Sequence, residues 1–288
     1  MAPTHASTPS AARPRNRSFA RSPLRRRLVL GASLATGVGG LALVLGGTLL
    51  PAADATPTPA SASAPKAAAA ATVSLSGWDL TLPIDSSGCQ CGDAEQLSPA
   101  ALFSPWLTRD SSGGLVFWAP TKGASTPNSA HPRTELVSTG SFAGDSSATH
   151  TLNATLSIQQ LPPADDIVIG QIHGGGSSSS IPLLLLHYTS GSLTVWVRPQ
   201  PSTSSTKVAT LLSGVPLDKS FSYAISETGA TMKVSVTYGS TTKSTSIHLG
   251  SGFDGMTLRF QAGDYQQSDT NSSSTEGGKL TITALSKN

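Results

Sequence analysis

The clearest structural signal is the stretch His150-Thr-Leu-Asn-Ala-Thr-Leu-Ser-Ile158, in which polar and apolar residues alternate. The stretch Thr231-Met-Lys-Val-Ser-Val-Thr-Tyr238 repeats this pattern. Successive side chains of a β-strand point to opposite faces, so a period of two predicts strands with one buried face. An amphipathic helix would instead space its apolar residues three or four apart, and that period is hard to find in the folded part of this chain.

Similar short segments follow one another through the second half of the chain, separated by clusters of Gly, Ser, Asn and Asp. The further strand candidates are Leu115–Ala119, Ile167–His173, Pro182–Tyr188, Ser192–Arg198, Val208–Leu212, Phe221–Ser226, Lys243–Leu249, Thr257–Ala262 and Lys279–Leu285. Many short antiparallel strands predict an all-β fold, either a two-sheet sandwich or a β-jelly roll. One short helix is predicted near Ser98–Thr108, beginning at Ser98 or Pro99.

The first 71 residues differ from the rest in charge. They carry eight basic side chains and one acidic one, a charge of +7, which leaves −4 for residues 72–288 because the whole chain carries +3. The net positive charge is therefore no argument for nucleic-acid binding. Arg25-Arg26-Arg27, an apolar run and Ala53-Asp54-Ala55 follow in the order of a secretory signal. We predict an export signal over residues 1–55, by the Sec or twin-arginine route, with an uncleaved membrane anchor as the alternative.

Residues 56–71 consist mostly of Thr, Pro, Ser and Ala and predict a flexible linker. Residues 72–288 are long enough for one domain with its own core. The cysteines, Cys89 and Cys91, are separated by one residue. An exported protein permits a disulfide between them, but the spacing leaves free thiols equally open. A lone C-x-C pair has too few ligands for a structural zinc site, so we expect no metal.

Four strand segments carry unusual polar or aromatic side chains on the face opposite their apolar residues. Residues two apart in a strand share a face. The groups that share a face are Arg133 with Glu135, Gln171 with His173, Trp196 with Arg198, and Arg259 with Gln261 and Tyr265. Any one such face is more often ordinary solvated surface, but four of them together indicate a polar cleft.

Three of these segments resemble motifs of polysaccharide lyase family 7, the alginate lyases. Arg133-Thr134-Glu135-Leu136 resembles the R-x-E-L motif, Gln171-Ile172-His173 resembles Q-[IV]-H, and residues 260–267 (FQAGDYQQ) resemble Y-F-K-A-G-x-Y-x-Q. They occur in the family's order, and Trp78–Pro83 and Gly277–Leu280 are also similar, so the resemblance spans essentially all of residues 72–288. It implies a β-jelly roll with a concave substrate cleft.

The chain departs from the family pattern at three positions. Val137 stands where a second arginine is frequent, Arg259 where a tyrosine is usual, and Gln261 where a lysine is usual. These positions are expected to line the cleft, so they bear on which substrate is accepted more than on the reaction.

The family reaction is a β-elimination that removes the C5 proton of a uronic acid and expels the 4-linked oxygen. Donors to the carboxylate stabilise the charge of the enolate-like transition state, and the amide of Gln171 and the guanidinium of Arg133 suit that task. By resemblance, Tyr265 is the acid, and also the base when proton and leaving group lie on one side of the ring. His173 is the base when they lie on opposite sides, or helps to neutralise the carboxylate. No cofactor is implied.

Further residues are expected to contact the sugar chain. They are Lys122, Asn128, Glu135, Trp196, Arg198, Arg259, Gln261 and Gln267. Among them, Glu135 is expected to orient Arg133 and Trp196 to form a sugar platform, whereas His187 receives no role. The expected partner is an anionic polysaccharide, bound by a monomeric enzyme that associates with neither nucleic acid nor, after processing, a membrane.

Several functions stay open at this point. Isoleucine in the Q-I-H segment is associated in the family with guluronate-containing alginate, whereas Val137 and Gln261 leave room for another polyuronate such as glucuronan. A non-catalytic carbohydrate-binding module would have the same sandwich. A glycoside hydrolase needs two carboxylates about 5–10 Å apart, and the inferred face offers only Glu135.

Overall fold

The computed structural model describes residues 72–288, and the predicted export signal and linker lie outside the described residues. This part contains sixteen strands and two single-turn 3-10 helices, Gly176–Ser178 and Ser251–Phe253. The strands are β1 (Trp78–Thr81), β2 (Gln96–Leu97), β3 (Leu107–Arg109), β4 (Leu115–Pro120), β5 (Arg133–Ser138), β6 (Phe142–Ala143), β7 (His150–Gln160), β8 (Asp166–Gly174), β9 (Pro182–Thr189), β10 (Ser192–Val197), β11 (Thr206–Leu212), β12 (Phe221–Thr228), β13 (Thr231–Tyr238), β14 (Thr241–His248), β15 (Thr257–Gln266) and β16 (Gly277–Lys287).

The strands form two antiparallel sheets. The nine-stranded sheet has the order β11-β10-β9-β8-β15-β5-β1-β2, with β6 paired to β15. The seven-stranded sheet has the order β14-β13-β12-β7-β16-β4-β3. Neighbours in space are often far apart in sequence, as when β15 lies between β5 and β8. These two antiparallel sheets, packed on a shared core, confirm the predicted two-sheet antiparallel sandwich.

Alternating side chains build the core between the sheets. In β12 every second residue from Phe221 to Glu227 is buried, as the period of two requires. Core side chains such as Phe117, Leu156, Ile172 and Phe260 are nearly inaccessible to solvent. Each contributes about 1.5–3 kcal/mol through removal of its apolar surface from water.

All eleven predicted strand segments fall in strands, with ends displaced by a few residues or fewer. The predicted helix at Ser98–Thr108 is wrong. Two prolines interrupt that segment, and each lacks an N–H and restricts the residue before it, so a continuous helical hydrogen-bond pattern cannot form. The chain instead follows a loop that leads into β3.

The cysteines, for which the sequence left two states open, form a Cys89–Cys91 disulfide in an exposed loop. Asp85 lies beside them and is the third member of a possible metal-ligand group. Its Oδ1 accepts hydrogen bonds from the Ser87 and Cys89 main-chain N–H groups. Thiolate is the form of cysteine that binds metals, and sulfurs joined in a disulfide do not supply it. Over residues 72–288, no helix has the length and apolar character needed to cross a membrane.

Candidate active site

A cleft of about 810 Å³ lies on the face of the nine-stranded sheet that points away from the core. It brings together ten of the twelve residues predicted from sequence. These are Asn128, Arg133, Glu135, Gln171, His173, Trp196, Arg259, Gln261, Tyr265 and Gln267. The apolar neighbours Leu136, Ile172 and Phe260 are buried on the opposite, core-facing side.

Cross-strand register explains why these residues meet. In β15, Tyr265 pairs with Arg133, Gln261 with Gln171, and Arg259 with His173. Directly opposed residues of antiparallel strands have Cα atoms about 4.5–5.5 Å apart. A register shift between β8 and β15 lies after Ala262, at the approach to Tyr265.

Glu135 connects Arg133 and Gln171 on the floor of the cleft. Its side chain is fully buried, and Oε2 accepts a hydrogen bond of 3.2 Å from Nη1 of Arg133. Its Oε1 accepts a short hydrogen bond from the Gln171 amide. Burial raises the pKa of Glu135, and the positive charge of Arg133 opposes that shift. Glu135 is therefore hydrogen-bonded to both Arg133 and Gln171, and its orienting role stays a prediction.

The amide of Gln171 is already engaged within the protein. Its Nε2 donates to Glu135 and also to Oε1 of Gln261, at 3.0 Å. The Oε1 atom of Gln171 is buried without a partner among residues 72–288. Since the oxygen of Gln261 serves as an acceptor, the N–H groups of Gln261 are the amide donors left for a ligand in the cleft.

His173 is poised to accept a proton. Its Nδ1 lies 3.0 Å from the carbonyl oxygen of Gly174. A carbonyl only accepts hydrogen bonds, so Nδ1 carries the hydrogen and the neutral ring keeps an unshared pair on Nε2. Burial, together with the positive charges of Arg133 and Arg259, lowers the pKa of His173 to about 4, although the Gly174 hydrogen bond opposes the shift. The imidazole is therefore uncharged at neutral pH.

Tyr265 lies against Arg133 in the same cleft. The guanidinium carbon of Arg133 lies 3.5 Å from the centre of the Tyr265 ring, so a positive charge rests against the ring that would carry phenolate charge during proton transfer. The Tyr265 hydroxyl is 3.0 Å from the Ser129 hydroxyl, and either can be the donor. Ser129 was not recognised from sequence, because a loop serine carries no pattern that distinguishes it.

A second polar cluster in the cleft was also not recognised. Nδ1 of His187 lies 3.0 Å from the Asp166 carboxylate, which also accepts a hydrogen bond from Thr189. The rings of His187 and Trp196 are 5.3 Å apart, and the indole N–H donates to Thr194. The sequence signal was available, because His187 is the one polar residue in the run from Leu183 to Tyr188 and shares a face with Leu185.

Two residues predicted to contact sugar lie outside the cleft lining. Lys122 is exposed in a loop where its main-chain N–H bonds to the Ser273 carbonyl. Arg198 follows the end of β10, and its guanidinium donates to the carbonyl oxygens of Pro182 and Pro201. Strand alternation placed Arg198 beside Trp196, but it does not apply once the strand has ended.

Comparison with known proteins supports this description. The sequence profile of the alginate lyase family matches residues 73–288. An alginate lyase from Klebsiella pneumoniae is 27% identical over 260 residues, which cover 68% of this chain and 83% of that protein. The crystal structure of an alginate lyase from Pseudomonas aeruginosa has 31% identity and a TM-score of 0.65, and the match covers 75% of this chain and 99% of that one. A family 7 alginate lyase solved with product as a Tyr-to-Phe variant has 25% identity and a TM-score of 0.64, with 75% and 96% covered.

The two-sheet sandwich with its Arg–Gln–His–Tyr cleft defines a polysaccharide lyase. More specifically, the chain belongs to the alginate lyase family, polysaccharide lyase family 7.

Proposed function

We propose that this enzyme cleaves alginate by β-elimination at 4-linked uronate residues, with a preference for guluronate-containing blocks, and releases unsaturated oligosaccharides. The observation that carries the proposal is the arrangement of proton-transfer groups. An uncharged His173 with a free Nε2 and the hydroxyl of Tyr265 share one cleft with the Arg133–Glu135–Gln171 network.

Arg133 and, through Gln261, Gln171 are assigned to the substrate carboxylate. Arg133 has five N–H donors, of which Nη1 and Nη2 use one each on Glu135 and Thr126. Further N–H groups remain to meet a carboxylate, which gains negative charge as C5 loses its proton. Both N–H groups of Gln171 are used on Glu135 and Gln261, so the N–H groups of Gln261 donate to the carboxylate and Gln171 holds that amide in place.

The two proton transfers are assigned to Tyr265 and His173. Tyr265 protonates the departing oxygen, and it also takes the C5 proton when that proton and the oxygen lie on one side of the sugar ring. His173 takes the proton when they lie on opposite sides, through the free pair on Nε2. A base that is already unprotonated at neutral pH needs no deprotonation before it acts.

The choice of alginate rests on relatives. Structures of one family 7 enzyme hold product in a Tyr-to-Phe variant and substrate in a His-to-Asn, Tyr-to-Phe variant. The guluronate preference rests on Ile172 in the Q-I-H segment, and the departures at Val137 and Gln261 make glucuronan the natural comparison substrate.

A panel of polyuronates tests the proposal. Guluronate-rich alginate, mannuronate-rich alginate and glucuronan are incubated with the whole chain, and ultraviolet absorbance follows the unsaturated product. We expect the fastest rise with guluronate-rich alginate. A rise only with glucuronan would replace alginate as the substrate, and a flat trace on every polymer would refute the lyase assignment for this chain.

We also propose that the enzyme is exported and acts outside the cell as a monomer. Support comes from the basic, apolar and small-residue order of residues 1–55 and from the size of a polymeric substrate. Expression in a bacterial host with N-terminal sequencing of medium protein should find a start near residue 56. Retention of the uncut chain in the membrane fraction would favour the anchor instead.

A further inference from the structure

Two of the three arginines in and beside the cleft are already committed to protein acceptors. Arg133 is paired with the buried carboxylate of Glu135 at 3.2 Å. Arg198 donates to two main-chain carbonyl groups outside the cleft lining. The positive charge of the first is thus balanced before substrate binds, and the second is not placed to meet substrate.

Arg259 differs from both. It lines the cleft and belongs to none of the ion pairs within residues 72–288. Its buried Nε–H, like that of Arg133, has no acceptor among these residues. Burial lowers the pKa of its guanidinium, against the opposing charges of Glu135 and Asp79, but a guanidinium stays protonated in proteins. Arg259 is partly buried, and its inaccessible Nε–H without an acceptor is unfavourable, a cost that an anionic ligand would relieve.

The position of Arg259 indicates which anionic group of the substrate it would bind. Arg259 is the cross-strand neighbour of His173, and Gln261, two residues along the same face, is the neighbour of Gln171. The C5 proton and the carboxylate of a uronate are attached to the same carbon. A residue that meets the carboxylate must therefore lie beside the base that removes the proton, and Arg259 is the cation beside His173.

The rest of the cleft floor supplies no other unbalanced positive charge at this place. His173 is uncharged at neutral pH, and Gln171 and Gln261 are neutral amides. The chain carries Arg259 and Gln261 where its family usually has tyrosine and lysine. The positive charge is thus displaced two residues along the strand, about 6.8 Å, towards His173.

We propose that Arg259 is a further catalytic residue, whose guanidinium binds the carboxylate of the reacting uronate and balances the charge that develops there. This rests on the proposed lyase function and extends it. Arg133 and Gln261 then contribute hydrogen bonds to the same carboxylate, Gln171 positions Gln261, and Arg259 contributes the net charge. A planar guanidinium matches a carboxylate in two-point contact.

Steady-state kinetics of the whole chain on its best polyuronate test this role. For Arg259→Gln we expect kcat to fall about 10²- to 10³-fold, the typical effect of removing one preorganised donor to developing charge. Arg259→Lys should lose less, because it keeps the charge and loses only the two-point geometry. The melting temperature of the glutamine variant should match the wild type, since Arg259 makes no ion pair within residues 72–288.

Lys233→Gln is the matched control, because it removes one positive charge from an exposed position of β13 in the other sheet. Wild type and this control must both form unsaturated product; if neither does on any polymer, it is the lyase function that fails. If both are active and the kcat of Arg259→Gln stays within about threefold of wild type, with or without a rise in KM, the catalytic role of Arg259 is overturned. Should the glutamine variant not fold, Arg259→Met, which also removes the charge, is measured in its place, and a kcat within about threefold of wild type overturns the role equally.

Discussion

The two sheets of this sandwich obey the same alternation and present opposite kinds of outer face. On the seven-stranded sheet the outward residues are ordinary solvated side chains, and the first four residues of β14 are all exposed. On the nine-stranded sheet several outward residues of β5, β8 and β15 are polar and yet buried, with Glu135 and Gln171 fully inaccessible and Gln261 4% exposed.

This difference identifies side chains that the sandwich fold by itself does not require. A sandwich needs only one apolar face per sheet, and Ser and Thr suffice for the other. Buried Arg, Glu, Gln and His side chains on a non-core face cost desolvation, and hydrogen bonds among themselves offset it only in part. Arg133, Gln171 and Arg259 each keep a buried polar atom without a partner among residues 72–288. Such atoms are donors and acceptors that a ligand in the cleft could satisfy.

The strongest contrast between the sheets should come from two tyrosines. Tyr265→Phe removes the proton donor of the cleft, so we expect the rate of unsaturated product formation to fall about 10²- to 10⁴-fold. Its melting temperature should change little. Tyr223 in β12 donates its hydroxyl to the Ile169 carbonyl inside the core, at 2.8 Å. Tyr223→Phe should instead lose about 1–3 kcal/mol of stability and keep its kcat. Substantial activity in Tyr265→Phe would remove that residue from the mechanism.

Glu135 tests whether the buried polar network also carries stability. Glu135→Ala leaves Arg133 buried without its carboxylate, so the free energy of unfolding should drop by about 3–5 kcal/mol, and product formation should fall as well. Denaturant titration measures the loss. Glu276→Ala, at an exposed position, is the control and should stay within about 0.5 kcal/mol of wild type. Equal, small effects of both changes would mean that Glu135 does not anchor the network.

The lowered pKa of His173 predicts how stability and activity change at acidic pH. Because burial lowers its pKa to about 4, the unfolded chain with its ordinary value of 6.5 binds a proton more readily than the folded one. Stability from this group is therefore intact above about pH 6.5, declines as pH falls towards 4, and the total loss is on the order of 3 kcal/mol. The kcat/KM on the substrate that uses His173 as base should likewise fall only near pH 4. His173→Asn should flatten the stability change in this window; an unaltered profile would contradict the assignment.

The smallest effect is expected on the plain outer face. Ser244→Ala lies in the exposed part of β14, away from the cleft. The free energy of unfolding should change by less than about 0.5 kcal/mol, and the rate on alginate should equal that of wild type. A loss of activity in this variant, measured in the same assays, would show that the seven-stranded sheet takes part in function. The two outer faces would then not differ in the way described.

Local pattern was enough to predict most of the strands and the faces of their side chains, but not the short strands β1, β2, β3 and β6. Alternation depends on residues next to one another, so His150–Ile158 and the segments like it could be recognised without tertiary information. The predicted helix near Ser98 failed although Pro99 is compatible with a first turn, because Pro105 would lie in the helix interior, where its missing N–H and its ring disrupt the hydrogen-bond pattern. Asp264 is a residue whose burial the local sequence did not predict. It lies in a Gly-Asp-Tyr sequence typical of a turn, yet it is fully buried, and burial raises its pKa well above the ordinary value.

The sequence by itself therefore determined the all-β class, the outward position of Arg133, Gln171, His173 and Tyr265, and, through the motif order, the family. The tertiary structure decided which of these side chains touch. The pairing of β15 with both β5 and β8 brings residues 133, 171 and 261 into one hydrogen-bonded group, although they are separated by up to 128 positions. It also decided that Arg259 has no ion-pair partner among residues 72–288, because that depends on which acidic side chains neighbouring strands bring near it, and no local pattern encodes this.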